Sequence, residues 1–256
     1  MELPLWSLSC GREEEPCSKN SVVCTAHPRW VRRPVAIGVG PIYKPMTFDY
    51  SISPSKGAFI ADPLGYGSLA WHKWALVQNM AGFPVDLENG PSKNDLISPI
   101  LWLSHAHAMS KAAATLLKED PPFDSLPDSI RGISHCQYFG IALMLVGYSL
   151  EVCLKAMIII NIGEAKYIAN EKHHHHHRLN ELADFIPDLS DKDKAILQGL
   201  SHYVRWAGRY PGPGFGKENQ AEEIFTLAEK NMITANDIMT LSHRIMNHTN
   251  HIVNKA

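Results

Sequence analysis

The sequence has no strong excess of charge of either sign. Its 24 Lys and Arg residues against 26 Asp and Glu residues give a formal net charge of −2 at pH 7. A protein with so small a net charge has no long-range field that would draw it to nucleic acid or to a membrane. Any such binding must therefore depend on a local patch of residues.

Cysteine is scarce and lacks the spacing of a metal site. The count of five is odd, and the first three, Cys10, Cys17 and Cys24, lie seven residues apart, whereas structural zinc sites usually pair ligands two to four residues apart. The five consecutive histidines at 173–177 are not expected to form a specific metal site, because neighbouring side chains point in different directions. The start of the chain also lacks the basic residues and the apolar run of a secretory signal. We therefore expect free thiols, no metal, no other cofactor and a cytoplasmic protein.

Strand signals are nearly absent after residue 68, where the chain changes character. Residues 1–68 are rich in Pro, Gly and Ser and sustain no helical or strand period, which predicts a poorly ordered, flexible N-terminal arm. Residues 69–94 predict one short helix and a linker. In residues 95–256 apolar side chains recur at helical spacing. The sequence therefore predicts an all-α protein, an up-and-down bundle of four to five helices behind a long arm.

The longest apolar stretch covers residues 138–162. It has the length of a membrane span, but a charge at the centre of a span is costly. Glu151 and Lys155 lie near its middle, and Tyr148 precedes them at a spacing that places all three on one helical face. We therefore predict a buried helix of a soluble protein with a single polar stripe.

Residues typical of helix ends mark the boundaries of the predicted helices. Gly163 is expected to end the long apolar helix. Ser190 with Asp193, and Thr234 with Asp237, have the spacing of capping boxes, with Asp in place of the usual Glu. Each pair therefore predicts the start of a helix.

Three motifs follow one another in the helical region. Glu151 and then Leu154-Lys155-Ala156 lie in the long apolar helix, His177 precedes a Leu-x-x-Leu pair, and a later helix ends in Arg209-Tyr210-Pro211. In this order and at these spacings they resemble the HEPN family of nucleotide-binding helical bundles. The resemblance covers roughly residues 95–255.

The resemblance implies an all-α bundle that often forms a homodimer. Many HEPN proteins are metal-independent RNases of toxin–antitoxin or other defence systems, and others bind a nucleotide or pair with a nucleotidyltransferase. For this chain the resemblance implies a nucleotide- or RNA-binding domain, active as an RNase where a catalytic pair assembles. The implied protein partner is a nucleotidyltransferase or an antitoxin-type protein.

The RNase-active members carry an arginine followed four to six residues later by a histidine. At the matching helix end this sequence has Arg205 followed by Arg209 and Tyr210, where the histidine is expected. The last predicted helix contains Arg244 and, after six intervening residues, His251. These two residues are a second candidate pair.

Metal-free RNA cleavage needs a base that deprotonates the 2′-hydroxyl and a cation that stabilises the charged phosphorane. Histidine suits the first role because it titrates near neutral pH, and arginine suits the second because its planar fork binds phosphate bidentately. We predict that these groups converge on one cleft. The candidate catalytic residues are His177, Arg205 and Arg209, with Arg244 and His251 as the second set, and the candidate nucleotide-binding residues are Tyr148, Glu151, Lys155 and Tyr210.

Each motif also has a purely structural interpretation. Glu151 and Lys155 have the order and spacing of an ion pair within one helix. The Arg-Tyr-Pro sequence can simply end a helix, and His177 can cap the short helix that follows it. The alternative function is therefore a non-enzymatic helical domain for dimerisation or partner binding, without a membrane, in which the polar stripe fixes the register.

Overall fold

The part of the chain that the computed structural model describes, residues 55–68 and 70–254, is helical apart from its connecting loops and contains no strand. This confirms the predicted all-α class. All described residues belong to one compact unit, residues 45–256. Residues 1–54, which include most of the predicted arm and its three cysteines, lie outside the described part, as do residues 69, 255 and 256.

The described residues form twelve α-helices and one π-helical turn. The helices are α1 (Lys56–Ala61), α2 (Pro63–Ser68), α3 (Ala70–Met80), α4 (Lys93–Leu96), α5 (Pro99–Lys118), α6 (Asp128–Ile162), α7 (Glu164–Ala169), α8 (Glu171–His174), α9 (Leu179–Leu182), α10 (Asp191–His202), α11 (Asn219–Asn231) and α12 (Ala235–Val253), and the π-helical turn is Tyr203–Ala207.

The long helix α6 is the element against which the main helices pack. Its second half carries fully buried apolar side chains, among them Leu150, Leu154 and Met157. The helices α5, α10 and α12 all contact it. It ends at Ile162, and Gly163 follows with φ of +82°, a conformation that glycine adopts without strain. The predicted stop at Gly163 is confirmed.

The helix α6 is also long enough and apolar enough to span a membrane. However, 67% of its most apolar 18-residue window is buried against the rest of the described residues. The central helix of a soluble protein has the same length and composition when its apolar faces are covered by neighbouring helices. The burial is therefore consistent with the predicted helix of a soluble protein.

Both predicted capping boxes are present. At the start of α10 the Ser190 hydroxyl accepts a hydrogen bond from the Asp193 N–H at 3.2 Å, and the Asp193 carboxylate accepts one from the Ser190 N–H at 2.8 Å. Thr234 and Asp237 form the same two bonds at the start of α12. Lys192 of α10 adds a salt bridge of 2.7 Å to Asp237. The residues that begin α10 and α12 therefore also join these helices.

Two short helices, α1 and α2, occupy the end of the segment 1–68, for which the sequence predicts irregular structure. The Ser55 hydroxyl starts α1 by accepting a hydrogen bond from the Ala58 N–H at 3.1 Å. None of the side chains of α1 is buried. Each of these helices has six residues, which is too short for a 3.6-residue period to appear in the sequence.

Candidate functional site

The polar stripe of α6 forms the buried centre of the candidate site. The side chains of Glu151 and Lys155 are 6% and 8% exposed, and Glu151 Oε1 lies 2.7 Å from Lys155 Nζ. Burial of two charges costs several kcal/mol per ion, which their attraction offsets only when the geometry is good and the remaining polar atoms are bonded. The second carboxylate oxygen of Glu151 therefore also needs a partner.

His177 is that partner. Its Nδ1 lies 2.8 Å from Glu151 Oε2, and its side chain is 43% exposed. An ionised carboxylate can only accept a hydrogen bond, so a neutral imidazole in this position carries its proton on Nδ1 and leaves the lone pair on Nε2. The contact therefore joins a buried, oriented carboxylate to an imidazole that reaches the surface.

The segment after His177 is fixed to α10. Two residues later, the Leu179 N–H donates a hydrogen bond to the hydroxyl of Ser201 at 2.9 Å, and both residues are buried. The Ser201 hydroxyl in turn donates to the Leu197 carbonyl at 2.8 Å. Leu182, the second leucine of the Leu-x-x-Leu pair, is also buried. The leucines and this serine thus hold His177 beside α6.

Aromatic rings surround the polar group. The ring of Tyr148 lies edge-on to that of His177, with centroids 6.2 Å apart. Tyr167 of α7 is buried and stacks on His174, with centroids 5.3 Å apart. Burial raises the pKa of Tyr167 to about 12, with a further contribution from the carboxylates of Glu171 and Glu151. The Tyr167 hydroxyl is therefore protonated at neutral pH.

The histidine run folds against this site. Burial lowers the pKa of both His174 and His176, and the positive charge of Lys155 lowers both further. These two imidazoles are therefore biased towards their neutral forms. Within the described residues, no group of three or more His, Cys, Asp or Glu side chains is arranged as a metal site.

The Arg-Tyr-Pro corner follows the π-helical turn that continues α10. Gly208 packs directly on α6, since a Cβ at this position would lie 2.3 Å from the Met144 Cβ. Arg205, Arg209 and Tyr210 are all exposed. The Arg209 guanidinium donates a hydrogen bond to the Arg205 carbonyl and lies 5.5 Å from the centroid of the Tyr210 ring.

The structure brings together some of the predicted site residues and separates others. Tyr148, Glu151, Lys155 and His177 form one cluster, which we call the α6 cluster. The Arg-Tyr-Pro corner lies at the level of Met144, seven residues before Glu151, or about 10 Å along the helix axis at 1.5 Å per residue. The single cleft that would join Arg205, Arg209 and Tyr210 to the α6 cluster stays a prediction.

The second candidate pair lies on α12. Arg244 forms a salt bridge of 2.6 Å with Asp193 of α10. The ring of His251 lies 5.7 Å from that of His248, on the same helix. The observed contacts of Arg244 and His251 are therefore with other residues rather than with each other.

Two members of the surroundings, Tyr167 and Ser201, could not be identified from the sequence. Tyr167 of α7 stacks on His174 of α8, a contact that depends on how these two short helices are arranged. Ser201 looks like an ordinary polar residue of an amphipathic helix, and its role appears only in its bond to Leu179. His174 belongs to the histidine run of the sequence, but the run alone does not show which of its rings stacks on Tyr167.

Comparison of the chain with protein-family models, with curated proteins and with solved structures finds no match in any of the three. The functional argument therefore depends on the geometry of the α6 cluster and on the chemistry of its residues. A buried carboxylate that holds one nitrogen of a partly exposed imidazole is an arrangement suited to a general base.

Proposed function

We propose that the chain is a HEPN-like RNA-binding domain that cleaves RNA, with His177 as the general base and Glu151 as the residue that orients it. In this proposal the helices α5, α6, α10, α11 and α12 form the up-and-down bundle implied by the resemblance over residues 95–255. The observation that carries the proposal is the 2.8 Å contact between Glu151 Oε2 and His177 Nδ1. The contact engages Nδ1, and in this proposal the other nitrogen of the partly exposed ring, Nε2, meets the RNA strand.

The proposed reaction is an internal transfer at one phosphodiester. His177 Nε2 takes the proton of the 2′-hydroxyl, and the 2′-oxygen forms a bond to phosphorus as the bond from phosphorus to the 5′-oxygen breaks. The 5′-oxygen takes up a proton from water, and His177 returns its own proton to the solvent. The products are a 2′,3′-cyclic phosphate and a 5′-hydroxyl. Proton transfer to a positioned base of this kind typically contributes about 10²–10⁴-fold to the rate.

Glu151 and Lys155 support this reaction from beneath the surface. Lys155 Nζ binds one carboxylate oxygen of Glu151, which leaves the other directed at His177. The imidazole is thereby held in one orientation and one tautomer. In the proposal Arg205 and Arg209, both exposed, bind phosphates of the same strand, because a guanidinium is suited to bidentate contact with phosphate.

The biological setting in the proposal follows from the resemblance. The domain acts in the cytoplasm as a homodimer, within a toxin–antitoxin or related defence system. Its protein partner is an antitoxin-type protein or a nucleotidyltransferase. The support for this setting is the order and spacing of the three sequence motifs, and the α6 cluster supports only the chemistry.

An RNA-cleavage assay on three variants tests the chemistry. We expect His177→Ala to lower kcat about 10²-fold or more, since it removes the base. Glu151→Gln should lower kcat less, because the histidine stays in place but loses its fixed tautomer. His251→Ala is the matched control, and its rate should equal that of the wild type. Circular dichroism checks that the Glu151 variant is folded.

Two results would overturn the proposal. One is a wild-type protein that neither cleaves RNA nor binds a nucleotide. The other is a His177→Ala variant as active as the wild type. If His251→Ala is inactive and His177→Ala is fully active, the general base is His251 of the second candidate pair on α12.

A non-enzymatic dimerisation domain is the second candidate function, and one observation favours it. The first half of α6 exposes three isoleucines, Ile130, Ile133 and Ile141, whose spacing places them on one face of the helix. A second copy of the chain could cover this face. Analytical sedimentation of the wild type and of Ile133→Asp tests this function. The function requires that the wild type is a dimer and that the substitution converts it to a monomer.

A further inference from the structure

A second surface of the molecule has the chemistry of a nucleic-acid contact. It is the segment 205–217, which begins in the π-helical turn and ends before α11, and which we call the stacking loop. We infer that the stacking loop binds single-stranded RNA, with unpaired bases on the rings of Tyr210 and Phe215 and phosphates on the neighbouring cations. This inference rests on the proposed function, since it names the part of the RNA that the domain recognises.

The first support is local charge. From residue 194 to residue 217 the sequence contains no Asp or Glu, and its charged residues are Lys194, Arg205, Arg209 and Lys217. The last three are exposed. The next acidic residue, Glu218, accepts a hydrogen bond from the Gly216 N–H at 3.1 Å. In a chain of net charge −2, the stacking loop carries three exposed cations and no carboxylate of its own, which is the kind of local charge that a phosphate backbone requires.

The second support is the exposure of two aromatic rings among these cations. Phe215 is fully exposed and Tyr210 is 58% exposed. The Arg209 guanidinium lies over the Tyr210 ring, 5.5 Å from its centroid, which is within the range of a cation–π contact. Aromatic rings alternating with cations form the usual platform for single-stranded nucleic acid, because every base has a flat face that can stack.

The third support is that the loop is held in place at both ends. At its start the Gly208 N–H donates to the Tyr203 carbonyl at 3.1 Å and the Tyr210 N–H donates to the Trp206 carbonyl at 2.8 Å. At its end the Lys217 N–H donates to the Gly214 carbonyl at 3.3 Å, and the Gly216 N–H donates to the Glu218 carboxylate at 3.1 Å. Gly214 and Gly216 have φ of +94° and +72°, conformations that favour glycine. A platform fixed in this way loses less entropy on binding.

The platform selects unpaired bases. In a duplex the flat faces of the bases are covered by their neighbours, and only ends, bulges and loops leave a face free for an aromatic side chain. The two rings and three cations of the stacking loop therefore distinguish a single strand from a duplex, although they carry no base-specific hydrogen-bonding pattern.

Fluorescence anisotropy with a labelled single-stranded RNA tests the inference, with the full chain carrying His177→Ala as background to prevent cleavage. We expect Tyr210→Ala and Phe215→Ala each to raise Kd by about tenfold. The matched control is Phe225→Ala, because Phe225 is 69% exposed but lies on α11 among Glu222, Glu223 and Glu229. This control should bind with unchanged Kd.

A second measurement tests the cations. Lys217→Gln should reduce the slope of log K against log salt concentration by about 0.7, the value for one lost phosphate contact on a single strand. Lys230→Gln, an exposed lysine of α11, should leave the slope unchanged. A duplex of the same sequence should bind more weakly than the single strand, and its Kd should not depend on Phe215.

Failure of this inference is distinguishable from failure of the proposed function. If the wild type cleaves RNA but Tyr210→Ala and Phe215→Ala leave Kd and KM unchanged, the stacking loop is not the contact surface and the chemistry of the α6 cluster stands. If the single strand binds through the stacking loop but no cleavage occurs, the inference holds and the catalytic proposal is wrong. Equal binding of duplex and single strand would overturn the inference.

Discussion

Arg244, in the middle of α12, forms a salt bridge of 2.6 Å with the Asp193 carboxylate at the start of α10. The same carboxylate accepts hydrogen bonds from the N–H and the hydroxyl of Ser190, so it closes the capping box and joins two helices. Burial acts to raise the pKa of Asp193, but the hydrogen bonds from Arg244 and Ser190 outweigh it, and the pKa is lowered. The contact gives Arg244 a structural role.

Replacement of this arginine should therefore change stability rather than cleavage. We expect Arg244→Met to lower the free energy of unfolding by about 1 kcal/mol, at the upper end for a partly exposed ion pair, and to leave the rate of RNA cleavage unchanged. Urea denaturation measures the first quantity. Arg131→Met is the control, because Arg131 pairs with Asp128 at the exposed start of α6. This substitution should lower the free energy of unfolding by less than Arg244→Met does. If Arg244→Met is as stable as the wild type but cleaves RNA more slowly, Arg244 is again a candidate catalytic residue.

One glycine of α6 and one glycine of α10 give a matched pair of substitutions. A Cβ at Gly147 would lie 2.6 Å from the Val204 Cγ2 and 3.2 Å from the Leu200 carbonyl oxygen, whereas a Cβ at Gly199 would have no neighbour within 4 Å. We expect Gly147→Ala to destabilise the protein by about 1–3 kcal/mol through overpacking. Gly199→Ala should stabilise it by up to about 1 kcal/mol through helix propensity.

Thermal or urea unfolding of both variants measures the difference. The prediction is contradicted if the two alanines change stability in the same direction and by similar amounts. If Gly147→Ala stabilises the protein as Gly199→Ala does, α10 can move away from α6 without loss of packing.

The buried ion pair of α6 predicts that substitutions at Glu151 and Lys155 have strongly non-additive effects on the free energy of unfolding. Lys155→Met leaves the buried Glu151 carboxylate with His177 alone, and we expect a loss of about 3 kcal/mol, the lower end for a broken buried pair, because His177 still donates a hydrogen bond. The double variant Glu151→Gln/Lys155→Met should lose less than the sum of the two single variants, because no charge is then left unpaired. Denaturant unfolding of all four proteins measures the coupling, and additive losses would argue against a buried pair.

Acid should weaken the junction of α10 and α12 through Asp237. Hydrogen bonds from Lys192 and then Thr234 lower the pKa of Asp237 to about 2, whereas an unfolded aspartate has a pKa of about 3.9. Since the folded pKa is the lower one, the stabilisation is complete above about pH 4 and is lost as the pH falls towards 2. We expect the melting temperature of the wild type to fall more between pH 5 and pH 2 than that of Asp237→Asn, which lacks this titration. Equal falls in the two proteins would contradict the assignment.

Features set by neighbouring residues could be predicted from the sequence. The helix end at Gly163 and the capping boxes at Ser190 and Thr234 depend on local backbone conformation and on side chains three residues apart, and all three are confirmed. The break between α4 and α5, where Ser98 precedes Pro99, interrupts a continuous apolar pattern. It was not predicted because the pattern of apolar residues continues across it.

The α6 cluster could be predicted only in part. The spacing of Glu151 and Lys155 shows that they share a helical face, and the pair is formed. The contact of Glu151 with His177 joins residues 26 positions apart, and only the packing of α9 on α6 and α10 decides it. The position of Arg209 depends on where α10 crosses α6, which Gly147 and Gly208 fix by their close contacts. No local pattern in the sequence contains that crossing point.

The π-helical turn Tyr203–Ala207 has a consequence for the direction in which the Arg-Tyr-Pro corner faces. Such a turn holds one residue more than an α-helical turn, so every following residue is displaced by one position, or about 100° around the helix axis. Arg209 and Tyr210 therefore owe their angular position to a single extra residue. A chain with the same Arg-Tyr-Pro sequence but one residue fewer in this turn would present it on another side of the protein, so the motif alone does not define the site.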